Sequence, residues 1–337
     1  MTETSVREWV IHSYSGYKGL VLQDCEMEEA GPGEVRLRIE AFALNWGDAD
    51  LMLDNYSFSF PKFPARIGME ACGIIDQIGE GVTGLKVGER YCTLPYFYFN
   101  RGASAESILI EPRYLVKASE GMSAVEASSI WMMYMTAYFP MVEMSEAGPG
   151  RNILIPAGTG TAGTAALQIG SMLGANMLAT TRYAYNIDYL KSCGANHVFV
   201  DDGTQDIAEF IMQHTDDKGI DAAFDPIGAG MINRYSKALA KDAKIMIYGW
   251  LDAQAPSVPM LDMIVQNASF HPYSLFNYVG DVDRCERGKA FVQKHIAEGN
   301  LKPLIDKTYP MESYIEAWDY MKNQRKTHGK VVISVTP

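Results

Sequence analysis

The sequence predicts an α/β protein in which a doubly wound parallel sheet is joined to a second, β-rich domain. A glycine-rich turn at residues 158–163 lies between a short apolar run and a helical segment, as in a strand-turn-helix unit. Strand and helix signals then alternate along the following stretch, whereas residues 8–114 carry short β-type runs separated by glycine turns. The 337 residues are enough for two domains, each with its own hydrophobic core.

Residues 8–114 predict a compact β-barrel-like domain. Trp9 to His12, Leu20 to Leu22 and Val35 to Ala43 are strand candidates, and the last of them alternates apolar with charged residues. A short helix is expected after Asn45, and two further strand candidates end at Ile78 and Ile110.

The parallel domain is predicted to begin near residue 126, because Ser123 and Glu126 have the spacing of a helix capping box. Its strand candidates are 152–156, 177–181, 197–200, 220–224 and 244–248. After residue 270 the pattern changes to two longer helical segments, 284–298 and 312–323, and a last strand, Lys330 to Val335. That strand could return to the first sheet, so we predict one domain from residues 1–125 and 270–337 and another from 126–269.

The glycines of the turn predict a dinucleotide site. Without a Cβ the chain can turn sharply after the strand, and a pyrophosphate can approach the amides at the start of the helix, where the helix dipole favours an anion. The alternative is a glycine-rich turn in another kind of α/β domain. The residues expected to contact the cofactor here are Gly158, Thr159, Gly160, Thr161, Ala162 and Gly163.

The end of the next strand indicates which dinucleotide is bound. An NAD site commonly has an acidic residue about 20 positions beyond the glycines, whereas an NADP site replaces it and supplies an arginine. The strand here ends Thr181, Arg182, Tyr183, and the nearest acid, Asp188, falls in the next helix. The sequence therefore favours NADPH over NADH, the alternative being that Arg182 is only a solvated surface charge.

Composition excludes several classes of partner. The net charge of −12 and the pI near 5.0 argue against nucleic acid and anionic membranes, which need a basic surface. The five cysteines are scattered without metal-ligand spacing, as expected for reduced thiols in the cytoplasm. The first residues have no signal-peptide pattern, and the longest apolar stretch, 130–142, is too short to cross a bilayer.

The order of motifs along the whole chain resembles the medium-chain dehydrogenase/reductase family, in its zinc-free quinone oxidoreductase-like branch. The motifs are Ala-Leu-Asn-x-x-Asp at 43–48, Gly-Met-Glu-Ala-Cys-Gly at 68–73, the glycine-rich stretch 79–90, Met-Thr-Ala-Tyr at 135–138, residues 157–163, Gly-Ala-Asn-His at 194–197, Phe-Asp-Pro-Ile-Gly at 224–228, Tyr-Gly at 248–249 and Gly-Lys-Val-Val at 329–332. The resemblance implies a GroES-like catalytic domain built from both termini around a Rossmann domain, and a homodimer.

The resemblance also implies site residues. Asn45 is expected to orient a carboxamide or carbonyl, and Tyr56 to donate a hydrogen bond or proton to a developing enolate, unless it is a packing residue. The cofactor contacts implied beyond the turn and the strand end are Thr136, Gly228, Tyr248, Gly249, Phe276 and Lys330. The positions that bind catalytic zinc in alcohol dehydrogenases correspond to the Asn45 region and Met69, neither of which is a zinc-ligand type, so no metal is expected.

The resulting prediction is an NADPH-dependent reductase of an activated C=C bond or a quinone, acting on a small molecule. The alternatives are a carbonyl reductase and a dinucleotide-binding protein with little turnover. Four departures from the family pattern leave the substrate open: Trp46 and Trp131 replace prolines, Asn186 replaces a lysine, and Pro95 to Arg101 is aromatic where relatives have glycines.

Overall fold

The computed structural model describes residues 5–96, 101–252, 254 and 257–335, so positions 97–99 of the aromatic stretch lie outside the described residues. The chain divides into two compact units. The first comprises Met1–Met132 and Lys302–Pro337, and the second comprises Met133–Leu301.

The first unit is built on two sheets. Its strands are β1 (Ser5–Ile11), β2 (Val21–Glu26), β3 (Val35–Ala43), β4 (Ala65–Arg66), β5 (Ala71–Ile78), β6 (Arg90–Thr93), β7 (Ser107–Ile110), β8 (Leu115–Lys117), β15 (Ile305–Pro310) and β16 (Lys330–Ser334). The helices that begin in this unit are α1 (Trp46–Leu51), α2 (Ala124–Ala127), α3 (Trp131–Tyr138) and α11 (Tyr314–Asp319). Strands β2, β1 and β4 form the small sheet, and the larger one runs β15-β16-β3-β5-β6-β8 with β7 added on β3.

Strand β3 organises the larger sheet. It pairs with β5 along most of its length, with β7 over Val35 to Arg38, and with β16 over Ala41 to Ala43. Val332 of β16 is fully buried against the end of β3. The predicted return of the last strand to the first sheet is therefore confirmed.

The second unit is a six-stranded parallel sheet with helices. Its strands are β9 (Asn152–Ile155), β10 (Asn176–Thr181), β11 (His197–Val200), β12 (Ile220–Asp225), β13 (Leu239–Ile247) and β14 (Ser269–Pro272). Its helices are α4 (Thr161–Met172), α5 (Ile187–Ser192), α6 (Ile207–Gln213), α7 (Ala229–Tyr235), α8 (Met260–Gln266), α9 (Phe276–Val279) and α10 (Val282–Ala297).

The strand order β11-β10-β9-β12-β13-β14 is that of a dinucleotide-binding sheet. All five pairings are parallel, so the carboxyl ends of the strands share one edge. The core of the unit is apolar and fully buried, with Leu154, Leu178 and Ile245 contributed by three strands. The predicted doubly wound parallel sheet is confirmed.

Both limits of the inserted domain and one helix differ from the prediction. The second unit begins at Met133 and not near residue 126. Residues 270–301, assigned from sequence to the catalytic domain, lie in the second unit because β14 pairs with β13 as a sixth strand. The segment predicted as one helix over 312–323 is α11 followed by a π-helical turn, Tyr320–Gln324. None of the helices in the described part of the chain has the length and apolar character needed to cross a membrane.

Candidate cofactor and substrate site

The turn between β9 and α4 packs tightly at two of its glycines, against backbone at Gly163 and against neighbouring side chains at Gly158. A Cβ on Gly163 would lie 2.9 Å from the carbonyl oxygen of Gly158. A Cβ on Gly158 would lie 3.1 Å from that of Ala179, in the neighbouring strand. These glycines set how closely α4 approaches the sheet.

Gly160, the N-cap of α4, is glycine for a different reason. A Cβ there would have no protein atom nearer than the Ala157 carbonyl oxygen at 3.6 Å, and its φ of −65° suits any residue. What a side chain would obstruct is the space beyond the amides of Thr161, Ala162 and Gly163, which have no acceptor within the helix. No acidic residue lies in the first turn of α4. The turn therefore fits a pyrophosphate.

Two residues missed by sequence reasoning hold this turn. Ala157 has a left-handed φ of 49°, and its amide donates to the hydroxyl of Thr180 at 3.0 Å. The amide of Gly158 donates to the carbonyl of the same threonine at 3.0 Å. Thr180 lies in a buried strand. The one sequence signal for its contact with the turn is that its side chain carries a hydroxyl group.

At the carboxyl end of β10 the structure separates a buried residue from an exposed group. Thr181 is buried, and its hydroxyl accepts from the side-chain amide of Asn186 at 2.8 Å. Arg182 is exposed, with its guanidinium 5.7 Å from the centre of the Tyr183 ring. Tyr183 stacks on Tyr185 at 5.2 Å and 9°. Asn186, which departs from the family lysine, thus supports the strand end, and Arg182 presents a cation next to an aromatic pair.

The turn that follows β12 is held by hydrogen bonds to Asp225. Buried Asp225 accepts from the amides of Ile227 at 2.6 Å and Gly228 at 3.2 Å, and from the hydroxyl of Tyr235 at 3.1 Å. Burial raises the pKa of its carboxyl to about 6. Gly228 has a φ of 91°, which only glycine adopts readily.

The remaining predicted contacts of this unit lie on three elements. A Cβ on Gly249 would be 2.9 Å from the carbonyl oxygen of Pro226, so the loops after β12 and β13 pack closely. Tyr248 stacks on Phe224 with 3.9 Å between ring centres. Thr136 is half-buried in α3, and Phe276 begins α9 after β14.

In the first unit, Asn45 precedes α1 and is buried. Its backbone amide donates at 3.1 Å to Asp48, whose other carboxylate oxygen accepts from the amide of Gly68 at 3.2 Å. Asp48 is completely buried, which raises the pKa of its carboxyl to about 7. Asp48 was not among the predicted site residues, although its place in the Ala-Leu-Asn-x-x-Asp motif was a signal for it.

Lys330, which the resemblance places among the cofactor contacts, lies beside Asn45. Its ammonium is 1% exposed and donates to Asn45 Oδ1 and to Glu70 Oε1. The second oxygen of Glu70 accepts from the backbone amide of Met132 at 2.9 Å. A buried cation is stable only with such partners, and here Asn45 and Glu70 supply them. The expected cofactor contact of Lys330 stays a prediction.

Tyr56 packs against the start of α1. A Cβ on Gly47 would lie 3.4 Å from the phenol oxygen and 3.2 Å from the ring, so a side chain there would require the ring to move by a few tenths of an ångström. Burial, together with Asp48 and Asp50, raises the pKa of Tyr56 above its ordinary value. The phenol is therefore a neutral hydrogen-bond donor. Among the described residues no group of three His, Cys, Asp or Glu could hold a metal ion.

Two family models match the chain. The alcohol dehydrogenase GroES-like domain matches residues 31–120, and the model described as a zinc-binding dehydrogenase matches residues 162–284.

Relatives align over nearly the whole chain. A 2-haloacrylate reductase of Burkholderia sp. is 27% identical, covering 96% of this chain and 97% of the relative. The human synaptic vesicle membrane protein VAT-1 homolog is 27% identical over 97% of this chain and 86% of its own.

Solved structures share the fold. A quinone oxidoreductase of Pseudomonas syringae pv. tomato DC3000 has a TM-score of 0.89 at 22% identity, covering 98% of this chain and 100% of the other. A 2-haloacrylate reductase has a TM-score of 0.85 at 25% identity over 98% and 100%, and the CurK enoyl reductase has 0.86 at 24% over 99% and 100%.

Proposed function

Because the chain belongs to the medium-chain dehydrogenase/reductase superfamily, in its quinone oxidoreductase-like branch, we propose that it is an NADPH-dependent reductase of an activated C=C bond or a quinone. Enzymes of this family bind a nicotinamide dinucleotide, and the turn at Gly158 to Gly163 fits one. The relatives named 2-haloacrylate reductase and quinone oxidoreductase support the substrate class.

The observation that carries the proposal is the pair of hydrogen-bond donors in the first unit. The side-chain amide of Asn45 and the neutral phenol of Tyr56 both adjoin the first turn of α1, where the corresponding family positions hold zinc ligands in alcohol dehydrogenases. Such donors stabilise an oxygen that gains negative charge. This chemistry suits reduction of a C=C bond conjugated to a carbonyl.

The proposed reaction adds a hydride and a proton across a C=C bond that is conjugated to a carbonyl. A nicotinamide dinucleotide held at the turn of residues 158–163 would supply the hydride and would itself be oxidised by two electrons. The hydride forms a C–H bond at the β-carbon of the substrate, and the π electrons move to the carbonyl oxygen, giving an enolate. Asn45 and Tyr56 hydrogen-bond that oxygen, and a proton added at the α-carbon completes the saturated product.

The preference for NADPH is proposed from Arg182. Its guanidinium is exposed at the end of β10, and the next acid along the chain, Asp188, lies beyond it in α5. A guanidinium binds a phosphate through charge-assisted hydrogen bonds, whereas a carboxylate at this strand end would repel it.

We also propose that activity needs no metal. Purified protein should retain activity after treatment with a chelator, and elemental analysis should find no stoichiometric zinc. Activity that is lost to the chelator and restored by zinc would contradict this.

A homodimer is proposed from the edge of the second sheet. Strand β14 pairs with β13 and with no other strand in the described part of the chain. Next to it, α8 exposes Leu261, Ile264 and Val265, each at least 68% accessible. An unpaired edge with an apolar neighbour favours pairing with a second copy about a two-fold axis.

The substrate class can be tested by following NADPH oxidation with matched enones, quinones and aldehydes. Turnover of enones or quinones above that of aldehydes is expected. Preferred turnover of aldehydes would indicate a carbonyl reductase, and NADPH binding without turnover of any compound would indicate a binding protein. Either outcome would overturn the proposal.

A further inference from the structure

The buried ion pair of Lys330 and Glu70 lies directly against Asn45. Both charged side chains are 1% exposed, and the lysine ammonium donates to Glu70 Oε1 and to Asn45 Oδ1. Removing two charges from water costs more free energy than many such pairs recover, so a buried pair is weak evidence for a stabilising role. Its geometry toward Asn45 suggests another role.

The ammonium decides which way the Asn45 amide faces. An ammonium only donates hydrogen bonds, so its partner must be the amide oxygen of Asn45. If the amide were flipped, its NH2 group would face the ammonium and be repelled. Among the described residues the amide nitrogen has one long contact, 3.4 Å to the carbonyl oxygen of Ala43. An NH2 group has two hydrogens, so one is available to a ligand.

The ammonium also changes the strength of that donor. A cation bonded to the amide oxygen draws electron density from the nitrogen, and hydrogen bonds in a chain polarise one another in surroundings of low dielectric. Asn45 is 8% exposed, so water screens the effect little.

We propose that Lys330 and Glu70 form a positioning pair that holds the Asn45 amide as a hydrogen-bond donor to the substrate oxygen. This inference rests on the proposed function and adds a selection rule. The substrate must present an acceptor at this point, such as the oxygen of an enone, a quinone or a conjugated carboxylate. Lys330 acts through Asn45 and does not contact the cofactor phosphates.

The pair can be removed without leaving an unpaired buried charge. Lys330→Met/Glu70→Gln removes both charges at similar volume, and Asn45→Ala removes the donor. The triple variant completes a double-mutant cycle. Lys307→Met serves as the matched control, because Lys307 is exposed and lies opposite Val331 in the neighbouring strand.

If the pair acts through Asn45, Asn45→Ala should lower kcat about 10²-fold. Lys330→Met/Glu70→Gln, the charge-free pair, should lower kcat at least about tenfold. The triple variant should fall no further than Asn45→Ala, to within about twofold, and NADPH affinity should stay within about twofold throughout. Additive losses in kcat, or NADPH affinity weakened about tenfold by the charge-free pair, would instead assign Lys330 to the cofactor and overturn the inference.

A second readout needs no turnover. The side-chain amide signal of Asn45, assigned in asparagine-labelled protein by its loss in Asn45→Ala, should shift in Lys330→Met/Glu70→Gln and not in Lys307→Met. An unchanged signal would refute the inference even in an active enzyme. Inactivity of the native protein with every enone and quinone would refute the proposed function, whereas the amide shift would still decide the inference.

Discussion

At the scale of the residue, burial decides what Tyr56 and Asn45 can do. A phenol with a raised pKa stays protonated across the physiological range, so Tyr56 donates a hydrogen bond and does not carry charge. Asn45 is buried but does not titrate, and its orientation is set by Lys330. In the proposed function, both residues would therefore stabilise charge that forms on the substrate.

Tyr56→Phe keeps the ring against Gly47 and removes only the donor. We expect kcat on an enone to fall by about 10²- to 10³-fold, the usual loss for one such donor, with NADPH affinity and thermal stability unchanged. Steady-state kinetics, a cofactor titration and a melting curve check this, with Tyr309→Phe as the control on a different face. A near-normal kcat would return Tyr56 to the packing residues.

Arg182→Ala tests the cofactor preference. The charge-assisted contact to the 2′-phosphate contributes about 1.5 to 3 kcal/mol, so NADPH binding should weaken by about tenfold or more. NADH affinity should hardly change, because NADH has no phosphate there. Fluorescence titration of both cofactors measures it, and Arg113→Ala, an exposed arginine of the other unit, should alter neither. Equal losses for the two cofactors would contradict the assignment.

At the scale of the element, the turn before α4 shows that neighbouring glycines serve different purposes. Gly163 lies against the backbone of Gly158, whereas Gly160 borders open space in the protein. The same substitution should therefore have different effects at the two positions.

Gly163→Ala forces a Cβ to within 2.9 Å of a backbone oxygen, so the free energy of unfolding should fall by about 1 to 3 kcal/mol. Gly160→Ala should change stability by less than about 1 kcal/mol, since the new methyl group contacts nothing closer than 3.6 Å. NADPH affinity should nevertheless fall at least about tenfold, because the methyl group occupies the pyrophosphate space. Denaturant unfolding measures the effect on stability, and cofactor titration measures the effect on NADPH affinity. Unchanged affinity in Gly160→Ala would contradict the proposal that the pyrophosphate binds at this turn.

At the scale of the whole molecule, one edge of the second unit's sheet is strand β14, whose outer side pairs with no strand in the described part of the chain. Helix α8, which precedes this strand, exposes an apolar face. Strand β14 and helix α8 are consecutive in the chain, so one short segment supplies both features.

Leu261→Glu/Val265→Glu places two carboxylates on this face. If two copies associate there, the variant should be monomeric in light scattering where the native protein is a dimer, because burying unpaired charge is unfavourable. Val87→Glu, which changes an exposed valine of the first unit, is the control. A dimer that persists in the double variant would place the interface elsewhere.

The sequence by itself determined the architecture of the second unit and the place of its glycine-rich turn. Glycine spacing and apolar runs are local signals, and β9, β10, β11 and β12 form within one residue of their predicted limits. The return of the last strand was also predicted, because Lys330 to Val335 is a strand candidate far along the chain from the strands of the parallel sheet.

Only the tertiary structure decided the partners of the polar side chains. Lys330 and Asn45 are 285 positions apart, and Glu70 lies 260 positions from the same lysine. No local pattern reports such a contact, because strand pairing between β16 and β3 brings the residues together. For the same reason, the second unit extends beyond residue 270, where the sequence prediction ended it. Whether β14 joins a sheet depends on its pairing with β13 and not on its own residues.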